Sequence, residues 1–94
     1  MPACHWVCRY PDTLALKVWS EGAVVYDATD ASLHALTPVG GDIMQALLDG
    51  FPHDAGSLAA ELLGEAPTSS DVDQVVRQLA QFEHLGLIER LQST

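Results

Sequence analysis

Residues 23–38, AVVYDATDASLHALTP, decide how this chain folds. Val24, Val25 and Tyr26 belong to the residue types that fit a pleated, half-buried strand. Thr29-Asp30 interrupts them with turn-forming side chains, and Ser32 to Leu36 reads as a second strand. At Thr37-Pro38 the period changes. Thr37 suits an N-cap, and Pro38 suits the first helical position, where its missing N–H would be unpaired in any case. The stretch therefore predicts strand, turn, strand and the start of a helix.

Working outward toward the N-terminus, Leu14, Leu16 and Val18 alternate with Ala15, Lys17 and Trp19, the period of a half-buried strand. Ser20-Glu21-Gly22 reads as a tight turn in which Gly22 takes a positive φ. Leu14 to Leu36 is then an antiparallel meander of three strands. Further out, the residues HWVCRY form a short extended segment ended by Pro11 and Asp12.

Toward the C-terminus, Val39, Ile43, Met44, Leu47 and Leu48 recur at helical spacing, and Gly50 stops the helix. Gly40-Gly41 weakens its first turn by about 1 kcal/mol per glycine relative to alanine, which predicts close packing on the sheet. No Gly-Lys-Ser/Thr follows, so this is not a phosphate loop. Ser57 is expected to cap a short helix through Leu63, closed by Gly64. Ser70-Asp-Val-Asp73 reads as a capping box opening a third helix, whose stripe is Val72, Val75, Val76, Leu79, Phe82 and Leu85. Gly86 ends it, and Leu87 to Leu91 is a short strand or tail. Segregated strands and helices predict an α+β fold: winged-helix-like, a three-stranded antiparallel sheet followed by three helices. Residues 1–94 form one domain, with 1–12 as a loosely attached extended segment.

Composition narrows the function. With 94 residues, the chain can bury roughly 60–65% of its unfolded surface, enough for one small core. Thirteen Asp and Glu oppose Arg9, Lys17, Arg77 and Arg90, for a net charge of −9, which repels phosphate backbones and attracts basic partners. No apolar run reaches the roughly 18–20 residues of a membrane span, and MPACHWVCRYPDT is not built like a signal peptide, so the cytoplasm is the expected compartment. There Cys4 and Cys8 stay reduced. With His5 they make a C-x3-C cluster short of the ligands that a structural zinc site needs, so no metal is expected. The nucleophile, zinc-protease and dinucleotide motifs are missing, and His5, His34, His53 and His84 are scattered. Neither catalysis nor a cofactor is expected.

The last two helices resemble a helix-turn-helix, which raises the reading of a winged-helix DNA-binding regulator. The third helix's polar positions are Asp71, Asp73, Gln74, Arg77, Gln78, Gln81, Glu83 and His84, with a single arginine to meet phosphates. Electrostatics thus oppose nucleic acid as a partner. A small sheet also has open edges, which can accept an extended peptide as an extra strand. Ser32 to Leu36 contains no Lys, Arg or Pro to discourage this. The same edge would serve a structural dimerisation module, giving a homodimer.

Trp6, LALKVWSEGAVVYD (14–27), SLHALTP (32–38), LLDG (47–50) and LAQFEHLGLIERL (79–91) together resemble the PqqD-like family of peptide chaperones, the RiPP recognition elements. The pattern is most similar to the branch associated with an HPr-kinase-related protein. His34, Leu36 and Pro38 match that branch. Ala31 stands where the family tends to have glycine, and Leu33 replaces its usual threonine. The resemblance implies a non-catalytic domain that binds the leader segment of a precursor peptide and presents it to a modifying enzyme, HPr-kinase-related or radical. In relatives the leader adds beside the third strand and packs against the third helix. Carried over, the peptide-binding residues are Ser32, Leu33, His34, Ala35 and Leu36, with Val72 and Val76 from the helix. Alternation puts Leu33 and Ala35 on one face, His34 and Leu36 on the other, Leu36 toward the core.

Overall fold

The computed structural model describes residues 4–92. The strands are β1 (Cys4–Val7), β2 (Leu14–Trp19), β3 (Gly22–Asp27), β4 (Ser32–Leu36) and β5 (Glu89–Gln92), and the helices are α1 (Pro38–Leu47), α2 (Ala55–Leu63) and α3 (Ser69–His84). An antiparallel sheet in the order β2-β3-β4 is followed by the three helices, the α+β winged-helix-like arrangement expected. A second, two-stranded sheet pairs β1 with β5 in antiparallel register, Trp6 opposite Arg90.

The meander's register sets its two faces. Ala15, Tyr26 and Leu33 stand side by side across the sheet, as do Lys17, Val24 and Ala35. This row faces outward: Tyr26 is 41% exposed and Leu33 66%. The opposite face carries Leu14, Leu16, Val25 and Leu36 into a core completed by Ile43, Met44, Leu47, Leu58, Leu79 and Phe82. Thr37 caps α1 by accepting the Gly40 N–H at 3.0 Å, with Pro38 in the first turn, as the sequence predicts.

Gly22 departs from expectation. It is not in the left-handed region but begins β3, and a methyl there would stand 2.8 Å from the Leu36 carbonyl oxygen. Glycine is needed for close strand approach, not for turn dihedrals. At Gly41 a methyl would lie 2.6 Å from Ala23 Cβ, so this glycine lets α1 sit directly on the sheet.

Two helix starts also differ. Asp54, not Ser57, caps α2: its carboxylate accepts the Ser57 N–H at 3.1 Å and the Ser57 hydroxyl at 2.6 Å. The capping box of α3 is Thr68 with Asp71, two residues before Ser70 and Asp73. Thr68 Oγ1 accepts the Asp71 N–H at 3.2 Å, and Asp71 accepts the Thr68 N–H at 3.0 Å. In both cases an acceptor further upstream captures the free N–H groups first, so the helix starts sooner.

Within the N-terminal segment, residues 4–8 contact the rest of the chain. Trp6, Val7 and Cys8 are buried, and Trp6 exchanges two backbone hydrogen bonds with His53, at 2.8 and 2.9 Å. Trp6 and Cys8 join the core cluster that also holds Leu87 and Ile88, and this burial favours docking of the segment.

Candidate functional site

β4 is the terminal strand of its sheet. β3 satisfies one side of its backbone, and no strand among the described residues pairs with the other. Such a strand presents a row of free N–H and C=O groups. The turn before it is unusual. Ala31 has φ 59°, a left-handed conformation that costs a non-glycine residue about 1–2 kcal/mol. Alanine, not glycine, occupies this left-handed position.

Two carboxylates hold that turn. Asp27, itself buried, accepts the Thr29 N–H at 2.9 Å and the Thr29 hydroxyl at 2.6 Å. Asp30 accepts the Ser32 N–H at 3.1 Å and the Ser32 hydroxyl at 2.6 Å, and the hydroxyl bond first of all keeps its carboxyl below the usual range. His34 Nε2 lies 3.0 Å from the Ser32 oxygen. The serine's single proton is given to Asp30, so the imidazole N–H must donate to the serine. Aspartate, serine and histidine thus meet, but in an order that takes no proton from the hydroxyl. This chain of bonds stiffens β4; it does not make a nucleophile.

The proposed contact residues fall into three groups. Leu33 and Ala35 lie on the exposed outer face. Ser32, His34 and Leu36 are half-buried on the inner face, with Leu36 against the core. Val72 and Val76 of α3 are half-buried and pack against that same core. Gln78 was not singled out by sequence as a contact, yet it reaches the junction of these elements. A methyl at Gly40 would stand 3.0 Å from Gln78 Oε1 and 3.5 Å from Leu36 Cβ, so the Gln78 side chain and the end of β4 both lie beside Gly40. Only its position three residues after Val75, on the neighbouring turn of the helix, could have suggested this.

Two cavities lie elsewhere. One, of about 110 Å³, sits at the seam of the two sheets among Arg9, Asp27, Thr29 and Glu89. Within its lining, Arg9 pairs with Glu89 and Asp27 with Thr29. The other, of about 160 Å³, opens between the three helices and takes Gln74 and Val75 from α3, not Val72 and Val76. The Cys8 thiol is buried, and burial pushes its pKa up, which keeps it protonated and unreactive. No group of three or more His, Cys, Asp or Glu among the described residues is placed to hold a metal. No helix among them is long and apolar enough to cross a membrane.

No protein-family model matches the chain, and no curated protein matches it by sequence. A solved structure, "TbiB1 in Complex with the TbiA(beta) Leader Peptide", has a similar fold, with a TM-score of 0.63 over 83% of this chain and 91% of that one. Sequence identity is 15%, so the likeness is one of fold.

Proposed function

We propose that this protein is a non-catalytic peptide chaperone of the PqqD-like kind, which holds the leader segment of a precursor peptide and presents it to a modifying enzyme. The observation that carries the reading is the open side of β4, whose last residue, Leu36, lies beside Gly40 together with the Gln78 side chain of α3. A leader running along Ser32–Leu36 would gain backbone hydrogen bonds from the strand. Leu33 and Ala35 on one face, and His34 and Leu36 on the other, would fix its register. A solved structure of similar fold carries a bound leader peptide, which supports the same use of this fold. Holding the leader would raise the effective concentration of the attached core peptide at the enzyme, with no chemistry in this chain.

NMR titration with a leader peptide from the same gene cluster tests the reading. Shifts should concentrate in Ser32–Leu36 and α3, and shifts confined to other elements would overturn it. Light scattering separates the homodimer reading, in which a second copy occupies the same edge before any peptide is added. A DNA-binding role is opposed by α3 itself, which offers Arg77 as its single Lys or Arg.

A further inference from the structure

The groove between the helices is lined by residues that each point to one kind of occupant. The first half of α1 contributes Val39 and Asp42, the second half of α2 from Ala59 on contributes Ala59, Leu62 and Leu63, and the first half of α3 contributes Asp71, Gln74 and Val75. Val39 is 42% exposed and Leu63 47%, so apolar side chains that could have been core line an open groove instead. Residues 38–76 hold seven carboxylates and no Lys or Arg. At the groove itself, Asp42 and Asp71 supply the charge. The Thr68 N–H and hydroxyl hold the Asp71 carboxyl below the usual range, so it is ionised at neutral pH.

The geometry points to a second docking site here, for a basic amphipathic helix of a protein partner, separate from peptide addition at β4. Helix walls have spent their backbone hydrogen bonds internally, so the groove gives an extended strand nothing to pair with. A helix arrives with its own backbone satisfied and needs only an apolar anchor and charges of the right sign. One large apolar side chain fills about 160 Å³ between Val39 and Leu63, while Lys or Arg one turn away meets Asp42 and Asp71. A second copy of this chain does not fit. Arg9 and Arg90 are engaged by Glu89 and Glu83, and Lys17 and Arg77 sit singly on β2 and α3.

The test uses the intact protein and two synthetic fourteen-residue helical peptides, one of Leu, Ala and Lys, the other with Glu replacing Lys. Amide NMR shifts locate binding, and fluorescence anisotropy measures it. The basic peptide should shift Val39, Leu62, Leu63 and Gln74, and the acidic one should bind at least about 30-fold more weakly, since like charges repel across the rim. Leu63→Ser, at a half-exposed position, should weaken the basic peptide by about tenfold. Asp42→Asn should weaken it by about threefold, and Asp12→Asn, equal in charge but outside the groove, should leave it unchanged. Equal effects of Asp12→Asn and Asp42→Asn would overturn the proposal, since they would reveal diffuse attraction to a chain of net charge −9. So would indifference to Leu63→Ser, or shifts confined to Ser32–Leu36. Because the groove and the β4 edge are read separately, loss of one leaves the other standing.

Discussion

The two sheets treat their edges in opposite ways. The small sheet is tied to its surroundings: Trp6 of β1 is bridged by the His53 backbone, Glu89 of β5 pairs with Arg9, and Arg90 with Glu83 at 3.1 Å. The Arg90 guanidinium also lies 5.5 Å from the centre of the Trp6 ring. The meander ends instead in β4, whose far side has no strand partner among the described residues and whose outer side chains face water. Strands of similar length are thus stabilised by side chains in one place and left available in the other. The difference separates a sheet tied down by tertiary contacts from one whose terminal strand has no second strand partner among the described residues.

Removing Trp6 tests the closed sheet most severely. Trp6→Ala should cost about 3–5 kcal/mol in urea unfolding, a large share of the total stability of a small domain. Trp6→Phe should cost far less, because the Trp6 ring N–H is buried without a hydrogen-bond partner among the described residues. What Trp6 supplies is volume and a face for Arg90. If Ala and Phe cost the same, an unseen polar partner holds the ring.

The next effect has the opposite sign and sits at the open sheet. Ala31→Gly should stabilise the protein by about 0.5–1 kcal/mol, as relief of the left-handed strain at φ 59° exceeds the extra entropy of glycine in the unfolded chain. For a domain this size that raises Tm by about 3–6 °C in calorimetry. An unchanged or lower Tm would mean that the Asp27 and Asp30 hydrogen bonds alone set the turn.

Sequence legibility divides along the same line. The β2–β4 meander was readable because alternation at Leu14–Trp19 and the Thr37-Pro38 switch are local signals. The β1–β5 pairing was not, since its strands lie at opposite ends of the chain and only tertiary packing of Trp6, Leu87 and Ile88 brings them together. Cap positions slipped because Asp54 and Thr68 are as good acceptors as Ser57 and Ser70, and the pattern T-x-x-D is chemically equivalent to S-x-x-D. Along β4 the burial follows the alternation, while the reach of Gln78 and the groove at Val39 and Leu63 depend on how three helices converge.

Acid should loosen the open turn and the helix starts together. Hydrogen bonds to Ser32, Ser57 and Thr68 hold the folded Asp30, Asp54 and Asp71 carboxyls below their ordinary range. A depressed folded pKa adds stability that is present above the unfolded value of about 3.9 and is lost as pH falls through the folded one. Thermal unfolding followed by circular dichroism should therefore show a shallow loss of Tm below about pH 4. Thr68→Ala removes the hydroxyl partner of Asp71, so that variant should lose less on acidification.

The smallest expected stability change is the most direct test of the contrast between the sheets. Leu33 is 66% exposed on β4, so Leu33→Ser should change unfolding stability by no more than about 0.5 kcal/mol. The same substitution should weaken a leader peptide by up to about fivefold, because one cross-strand apolar pair contributes about 0.2–1 kcal/mol. Stability and binding would then separate at one residue, as an edge kept free for a partner requires. If Leu33→Ser instead costs more than about 1.5 kcal/mol, the outer face of β4 is already covered in solution, since a side chain in water cannot carry so large a transfer energy. A dependence of that loss on protein concentration would identify the cover as a second copy, and the β4 edge would join the small sheet as a closed one.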